Sequence, residues 1–409
     1  MTAPFRRHVL YLPGFDPIPP RRYRELYRRE GADQAQISGH RLRMKKAQPD
    51  GGGFAWRVGS HVEGRDVETR IEVALWSDIV QASMSAGIAG TYRQLFRTMW
   101  IYIGSGTIGR LMRLRRGPVI AAFYPIAVLL AQLALALLAG GLVAWGVAAA
   151  GGGLFGVPFG LAVAWGVLVL GRRLDHRLFA YYLMHDYAFT CANHGAYPPS
   201  LEDRITRFRD RLKTILAQDL DEVLVIGHSS GAYLAVSVLA DLLREGPRPG
   251  PALSLLTLGH VVPMAAFLPR ANRLRADLAF LSQADGLFWT DVTAPGDACC
   301  FALCDPVAVS GVATPFSRWL LVVSAAFTQT LAPATWKALR WRFFRLHFQY
   351  LCAFDNLAGT PTDYDYFRLT AGSQTLAARY RGRAPSRSRI DVPASKYTSR
   401  ARPAPGLAA

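Results

Sequence analysis

The stretch VLVIGHSSGAYLA, from Val223 to Ala235, places a serine between two glycines where one local pattern gives way to another. The residues before Gly227 form a continuous apolar run, which is typical of a strand buried on both faces of a sheet. The residues from Ser230 to Leu243 are rich in alanine and leucine and predict a helix. Ser229 therefore falls on a tight strand-to-helix turn, where flanking small residues let neighbouring backbone approach closely.

Apolar runs elsewhere predict further strands of the same sheet. Two precede the opening stretch, His8–Phe15 and Arg70–Ile79, and two follow it, ALSLLTLG and GLFWTDVTA. Helical spacing of apolar residues between Leu201 and Leu220 places a helix directly before the strand EVLVIG. Strands that alternate with helices predict an α/β fold, with a mostly parallel sheet flanked by helices. Ligands of such sheets collect at the carboxyl ends of the strands.

The middle of the chain carries a long segment without charge. All 55 residues from Gly117 to Gly171 lack a charged side chain, whereas one membrane-spanning helix needs only about 20 apolar residues. The glycines at 151–153 offer a break, so we expect one span near Val119–Val143 and a second near Leu154–Leu170. The segment is therefore interpreted as a transmembrane helical hairpin.

The positive charges predict how this hairpin is oriented. Arginines precede it at 110–116 and follow it at 172–177, which assigns both flanks to the cytoplasm. The mixed basic and aromatic segment Arg93–Arg116 is typical of an interfacial helix. We therefore expect a bacterial-type inner membrane location, with the bulk of the chain in the cytoplasm. The five cysteines, irregularly spaced, agree with a reducing compartment.

The formal net charge of +18 points to an anionic partner, and an anionic lipid surface is the partner expected. The sequence has no recognition helix, Cys/His finger or aromatic RNA-binding signature, so no nucleic-acid partner is expected. Cys299, Cys300 and Cys304 have no fourth ligand at metal-binding spacing and are interpreted as buried small hydrophobic residues. No metal and no cofactor is expected.

Strand, GHSSG turn and helix together resemble the nucleophile elbow of the α/β-hydrolase fold, particularly its lipases and esterases. The resemblance covers residues 5–80 and 200–370 and leaves out the hairpin. It implies a serine nucleophile, a later acid, a histidine later still, and two backbone N–H groups that form an oxyanion hole. Ser229 matches the nucleophile, Ser230 supplies one N–H, and Phe15 in LPGF is the candidate for the second.

The remaining two members of the triad are assigned by chain order. His347 is the one histidine beyond His260, so it is the expected base. Three aspartates precede it as candidate acids. Asp297 follows a Pro-Gly turn after an apolar strand and is preferred. Asp305 precedes a proline and is typical of a turn, and Asp291 lies within the strand itself.

The chain is thus divided into four parts. Residues 1–116 form the first part of a hydrolase domain, with the basic interfacial segment at its end. Residues 117–171 form the hairpin, and residues 172–370 form the second part of the hydrolase domain, with a lid-like segment at 306–346. Residues 371–409 carry seven arginines and one lysine against one aspartate, and their composition predicts a disordered basic tail.

Within the lid-like segment, the apolar run at 319–336 is flanked by basic residues. A lid, an interfacial helix and a third membrane span all fit its composition. A third span would put Ser229 and His347 on opposite sides of the membrane, so an interfacial position is preferred.

The function expected is that of a membrane-anchored serine hydrolase, which cleaves carboxylic esters, with lipids among the candidate substrates, through an acyl-enzyme intermediate. Two alternatives stay open. One is a non-catalytic membrane scaffold on a degenerate hydrolase fold, and the other is an acyltransferase that uses the same three residues.

Overall fold

Eight strands form one sheet in the described part of the chain, which in this computed structural model is residues 3–46, 52–246, 249–355 and 364–401. The strands are β1 (Phe5–Leu12), β2 (Arg41–Lys46), β3 (Phe54–Val62), β4 (Arg65–Val73), β5 (Glu222–His228), β6 (Ala252–Leu258), β7 (Leu287–Thr293) and β8 (Leu321–Ser324). Their order across the sheet is β2-β3-β4-β1-β5-β6-β7-β8. The pairs β2–β3 and β3–β4 are antiparallel, and the other five are parallel. The fold is therefore α/β with a mostly parallel sheet.

Helices flank this sheet and extend from it. They are α1 (Arg21–Ser38), α2 (Ser77–Ser83), α3 (Gly87–Gly104), α4 (Thr107–Leu114), α5 (Arg116–Val147), α6 (Gly156–Arg173), α7 (Asp175–Leu178), α8 (Ala180–Cys191), α9 (Pro199–Leu216), α10 (Gly231–Arg244), α11 (Val262–Ala266), α12 (Asn272–Leu281), α13 (Pro306–Val309), α14 (Phe327–Thr330), α15 (Pro333–Leu339), α16 (Phe343–His347), α17 (Tyr366–Ala371) and α18 (Leu376–Arg379).

Two hydrophobic cores cover the two faces of the sheet. Alternate residues of the central strands point to opposite faces, so Val223 and Val225 of β5 pack with α9, α10 and α12, whereas Leu224 and Ile226 pack with aromatic residues of α1 and α17. All seven residues of β5 are buried. The chain leaves β1 toward one face and β5 toward the other, so a crevice opens between their carboxyl ends.

The uncharged middle segment forms two helices that pack against each other. They are α5 and α6, close to the predicted spans, and the chain bends between them at Gly151 and Gly153, whose φ angles are 92° and 50°. Gly140 and Gly160 touch so closely that a Cβ on either would meet the other's carbonyl oxygen. By length and composition the helical stretch Arg116–Arg173 could cross a membrane, and 17% of its most apolar window is buried.

The first strands differ from the prediction in extent and number. The strand expected at Arg70–Ile79 is β4, which ends at Val73, and α2 follows it. The antiparallel strands β2 and β3 were not predicted. Residues of β2 are half-exposed or exposed, so its sequence RLRMKK lacks the apolar character by which the buried strands were recognised.

The lid or interfacial helix expected at 319–336 is not what these residues form. Leu321–Ser324 are the edge strand β8, which pairs with β7, and the short helices α14 and α15 follow. Leu321, Val322 and Val323 are buried on the sheet. The run is apolar because it belongs partly to the core.

The disorder expected from residue 371 onward is wrong for the described residues 371–401. Arg7 on β1 donates to the carbonyls of Gly372 and Gln374, and Glu222 on β5 accepts from the amide of Leu376. Further along, the amide of Ser386 donates to the carbonyl of Val322. The composition predicted disorder because the segment is strongly basic. Its main-chain groups and a few apolar side chains nevertheless bind it to the sheet. Residues 402–409 lie outside the described residues.

Candidate active site

Ser229 occupies the turn between β5 and α10 in a backbone conformation that few residues other than glycine adopt. Its φ is 56°, in the left-handed region, and its amide donates to the carbonyl of Leu258 over 2.9 Å. A Cβ on Gly227 would lie 2.6 Å from Ala232 Cα, and one on Gly231 would collide with the carbonyl of Leu12. The G-x-S-x-G spacing is therefore required by the close packing of this turn.

The loop after β1 runs directly beside this serine. A Cβ on Gly14 would lie 2.9 Å from Ser229 Cβ and 3.4 Å from its Oγ, so only glycine lets the loop come this near. Phe15 follows at once, and its amide, like that of Ser230, donates to no acceptor among the described residues. Both residues line one cavity with Ser229. Two free N–H groups in such a position are what an oxyanion hole requires.

Asp297 and His347, which lie 50 residues apart in the chain, are hydrogen-bonded. Asp297 stands in the Pro-Gly turn after β7, and its amide donates to the carbonyl of Ala294. His347 ends the short helix α16. The distance from His347 Nδ1 to Asp297 Oδ2 is 2.7 Å. With the proton on Nδ1, the Nε2 atom is left as a base.

The Asp297 carboxylate accepts hydrogen bonds from two further groups besides His347. Its Oδ1 accepts from the amide of Cys299 over 2.9 Å, and its Oδ2 also accepts from the Tyr350 hydroxyl over 3.1 Å. Burial acts to raise the pKa of Asp297, but the charge of His347 and the hydrogen bonds from His347 and from the amide of Cys299 outweigh burial, so the pKa is lowered overall. The aspartate is therefore ionised at neutral pH and can orient the imidazole.

The two other candidate acids have structural contacts instead. Asp305 caps α13, where its side chain accepts from the amides of Val307 and Ala308. Asp291 lies inside β7, accepts from Thr257 Oγ1 over 2.6 Å and lies 3.6 Å from His260 Nε2. Of the three aspartates, Asp297 is the one that the fold brings to His347.

His228, the residue before the serine, packs against His347 and is hydrogen-bonded to it. The two rings stack with centroids 4.9 Å apart, and His228 Nε2 donates to the His347 carbonyl over 3.0 Å. Burial, and then the charge on His347, lower the pKa of His228 to about 3. A neutral ring at this position packs against the His347 imidazole without placing a second positive charge beside it.

Ser229 and His347 face a cavity of about 870 Å³, which we call the Ser229 cavity. Its walls come from the loops after β1 and β5, from the first turns of α5 at 117–124, from α7 and α8, and from residues 341–348. Most of the wall is apolar or aromatic, so the cavity suits a hydrophobic substrate. Among the described residues no hydrogen bond reaches Ser229 Oγ.

Asp186 on α8 is a member of the cavity wall that the sequence did not single out. It is half-buried, and burial, opposed by the charge of His347, raises its pKa to about 7. The signal available was one carboxylate inside the apolar and aromatic stretch YYLMHDYAF. Without the fold, nothing connects that carboxylate with Ser229.

One group of side chains could hold a metal ion. Ligand atoms of Asp297, Cys299 and His347 all lie within 4.8 Å of one another. The carboxylate and the imidazole are already hydrogen-bonded to each other, an arrangement that acid–base chemistry uses directly.

No family model, no curated protein and no solved structure matches this chain. The arrangement around Ser229 therefore has to be interpreted from its own geometry.

Proposed function

We propose that this protein is a membrane-anchored serine hydrolase of carboxylic esters, built on an α/β-hydrolase-like fold. One observation carries the proposal. The serine on the left-handed turn shares the Ser229 cavity with a histidine whose Nδ1 is bound to a buried aspartate. These are the three groups that acyl transfer needs, in the roles of nucleophile, base and orienting acid.

In the proposed reaction, Ser229 Oγ attacks the ester carbonyl while His347 Nε2 takes the hydroxyl proton. The imidazolium that forms is stabilised by the Asp297 carboxylate, which stays ionised. The amides of Phe15 and Ser230 donate to the oxyanion of the tetrahedral intermediate, each contributing about 3 kcal/mol. His347 then gives its proton to the departing alcohol. Water, deprotonated by the same imidazole, releases the acid from Ser229.

The apolar helices α5 and α6 are proposed to anchor the protein in the membrane. Their outward side chains are large and exposed, with Trp145 of α5 at 72% and Leu161 of α6 at 67%. Arginines at both ends of the pair support the proposal that the sheet lies on the cytoplasmic side of a bacterial-type inner membrane and that anionic lipid is a partner. Because α5 also lines the Ser229 cavity, an ester lipid could enter from the bilayer surface.

The nucleophile is tested with a fluorophosphonate probe on the purified full chain. Ser229→Ala is expected to abolish labelling and to lower ester hydrolysis by at least about 10³-fold. Ser230→Ala is the matched control, because it removes the adjacent hydroxyl and keeps the backbone amide. Equal labelling of Ser229→Ala and the wild type would contradict the proposal.

A non-catalytic scaffold is the second candidate, and one observation favours it: no hydrogen bond among the described residues joins Ser229 Oγ to His347. For a scaffold, the wild type would resist the probe as fully as Ser229→Ala does. An acyltransferase would label normally and would be recognised by the ester it forms with an added alcohol.

A further inference from the structure

Two arginines stand at the mouth of the Ser229 cavity with no acidic partner among the described residues. Arg177 belongs to α7, directly after the membrane helix α6, and Arg342 precedes α16. Both are exposed. The other arginine that lines the cavity, Arg345, is paired with Glu30 over 3.3 Å. Arg177 and Arg342 are therefore the cations of this cavity that remain available to a ligand.

An aromatic contact holds these two arginines on the same rim. The rings of Phe179 and Phe344 lie 4.8 Å apart, and Tyr182 packs on Phe344 at 5.9 Å. Each arginine is two residues from one partner of this contact. Arg342 directly precedes α16, the helix that ends with His347. An anion on this rim would therefore share the Ser229 cavity with the reacting ester.

The acidic groups of the cavity do not cancel this charge. Asp16 lies 3.8 Å from the guanidinium of Arg22 and accepts from the Tyr23 hydroxyl, so its charge already has a cationic neighbour. Asp186 is half-buried, and the raised pKa of about 7 keeps part of its population neutral. The cavity thus has a cationic mouth and a largely apolar interior. This distribution fits a molecule with an anionic head and an apolar ester-linked chain.

We propose that Arg177 and Arg342 form an anion site that selects ester lipids with a negatively charged, phosphate-bearing headgroup as substrates. This inference rests on the proposed function, since the headgroup would be held while Ser229 attacks the acyl ester. Arginine suits the task because its planar guanidinium donates two parallel hydrogen bonds to a phosphate.

The test compares two lipids presented in the same detergent micelles, phosphatidylglycerol and neutral diacylglycerol. For each enzyme the measured quantity is the ratio of kcat/KM on the anionic lipid to kcat/KM on the neutral lipid. The double variant Arg177→Gln, Arg342→Gln is expected to lower this ratio about tenfold, the effect of one charge-assisted hydrogen bond.

The matched control is Arg113→Gln with Arg173→Gln. These arginines are exposed and flank the membrane helices, but they do not line the cavity. The control removes the same charge and is expected to leave the ratio as in the wild type. An equal fall in both double variants would mean that the arginines only attract the protein to charged micelles, and would overturn the inference.

A final arm separates a lipid headgroup from free phosphate. Millimolar inorganic phosphate is added to the diacylglycerol assay. A change in rate that requires Arg177 and Arg342, together with an unaltered lipid ratio, would assign the site to a soluble anion and overturn the headgroup assignment. If Ser229→Ala hydrolyses both lipids as the wild type does, the proposed function itself fails. If only the ratio is unaffected by Arg177→Gln, Arg342→Gln, the hydrolase stands and the anion site fails.

Discussion

The carboxyl group of Asp186 makes the free energy of unfolding depend on pH. Its pKa is about 7 because burial disfavours the carboxylate, whereas the unfolded chain returns it to the ordinary value of 3.8. Between these two values the folded state holds a proton that the unfolded state has released. Stability from this residue is therefore complete below about pH 4 and is lost as the pH rises through 7.

Asp186→Asn should remove this dependence, since an amide does not ionise. Between about pH 5 and pH 8 the variant is expected to lose about 1 kcal/mol less stability than the wild type, a value that allows for partial exposure of the side chain. Thermal unfolding in detergent micelles at each pH measures the difference. Asp203→Asn, at an exposed position on α9, serves as control. The same pH dependence in Asp186→Asn and wild type would show that this carboxyl is not the source.

At the residue scale, the sequence predicts those candidate site residues that local spacing or chain order marks. Ser229 was found from its flanking glycines, and His347 from its late position. Tyr350, which donates to Asp297, and Asp186 could not be found in that way. Their positions near Asp297 and Ser229 depend on which loops lie together at the carboxyl edge of the sheet. No short sequence motif predicts that proximity.

The contact between α5 and α6 depends on small residues at matching heights. A Cβ on Gly160 would lie 2.5 Å from the carbonyl oxygen of Gly140. Gly166 lies on the same helix with nothing within 4 Å of the place where its Cβ would be. In a membrane, close backbone approach of this kind is a main source of helix association.

Gly160→Val is expected to destabilise the helix pair by about 1–3 kcal/mol, since the helices must separate to admit the side chain. Gly166→Val makes the same chemical change on the same helix where space is open, and should cost less than about 1 kcal/mol. Unfolding of each variant in mixed detergent micelles with increasing dodecyl sulfate gives the comparison. Equal losses would show that helix propensity, rather than the contact, sets the stability.

Among the strands and helices, those with a buried apolar run were the ones that the sequence predicted correctly. The strands β1, β5, β6 and β7 each contain an apolar run and were expected within about three residues of where they lie. The short edge strand β8 was hidden within a longer apolar run that also contains two helices. The segment from 371 onward escaped because its contacts use main-chain groups, such as the carbonyl of Gly372 bound to Arg7. Amino-acid composition does not predict which main-chain carbonyls will accept hydrogen bonds from other parts of the chain.

At the scale of the whole molecule, charge and hydropathy together predict an orientation in the membrane. The sheet and both flanks of the helix pair carry the arginines, and the connection at 148–155 carries no charge. Leu154 in that connection is 88% exposed. The hairpin topology therefore predicts that this connection and the sheet lie on opposite sides of the membrane.

Single cysteines test this topology in intact bacterial cells treated with a membrane-impermeant maleimide. Leu154→Cys is expected to label from the periplasm. Asp203→Cys, at an exposed site on the sheet side, should label only after the cells are opened, and the wild type corrects for native thiols. Labelling of both positions in intact cells, or of neither, would contradict a two-span anchor.

The position of the helix pair within the chain also sets an order of assembly during synthesis. β1 lies between β4 and β5, and the buried ion pair of Arg7 with Glu222 at 2.6 Å joins β1 to β5. When β1 to β4 leave the ribosome, one side of β1 has no strand beside it, and its partner is made only after α5 and α6. An unpaired strand edge invites aggregation. If α5 and α6 are the proposed membrane anchor, they insert before β5 and the serine turn have been synthesised, while β1 still lacks one of its partner strands.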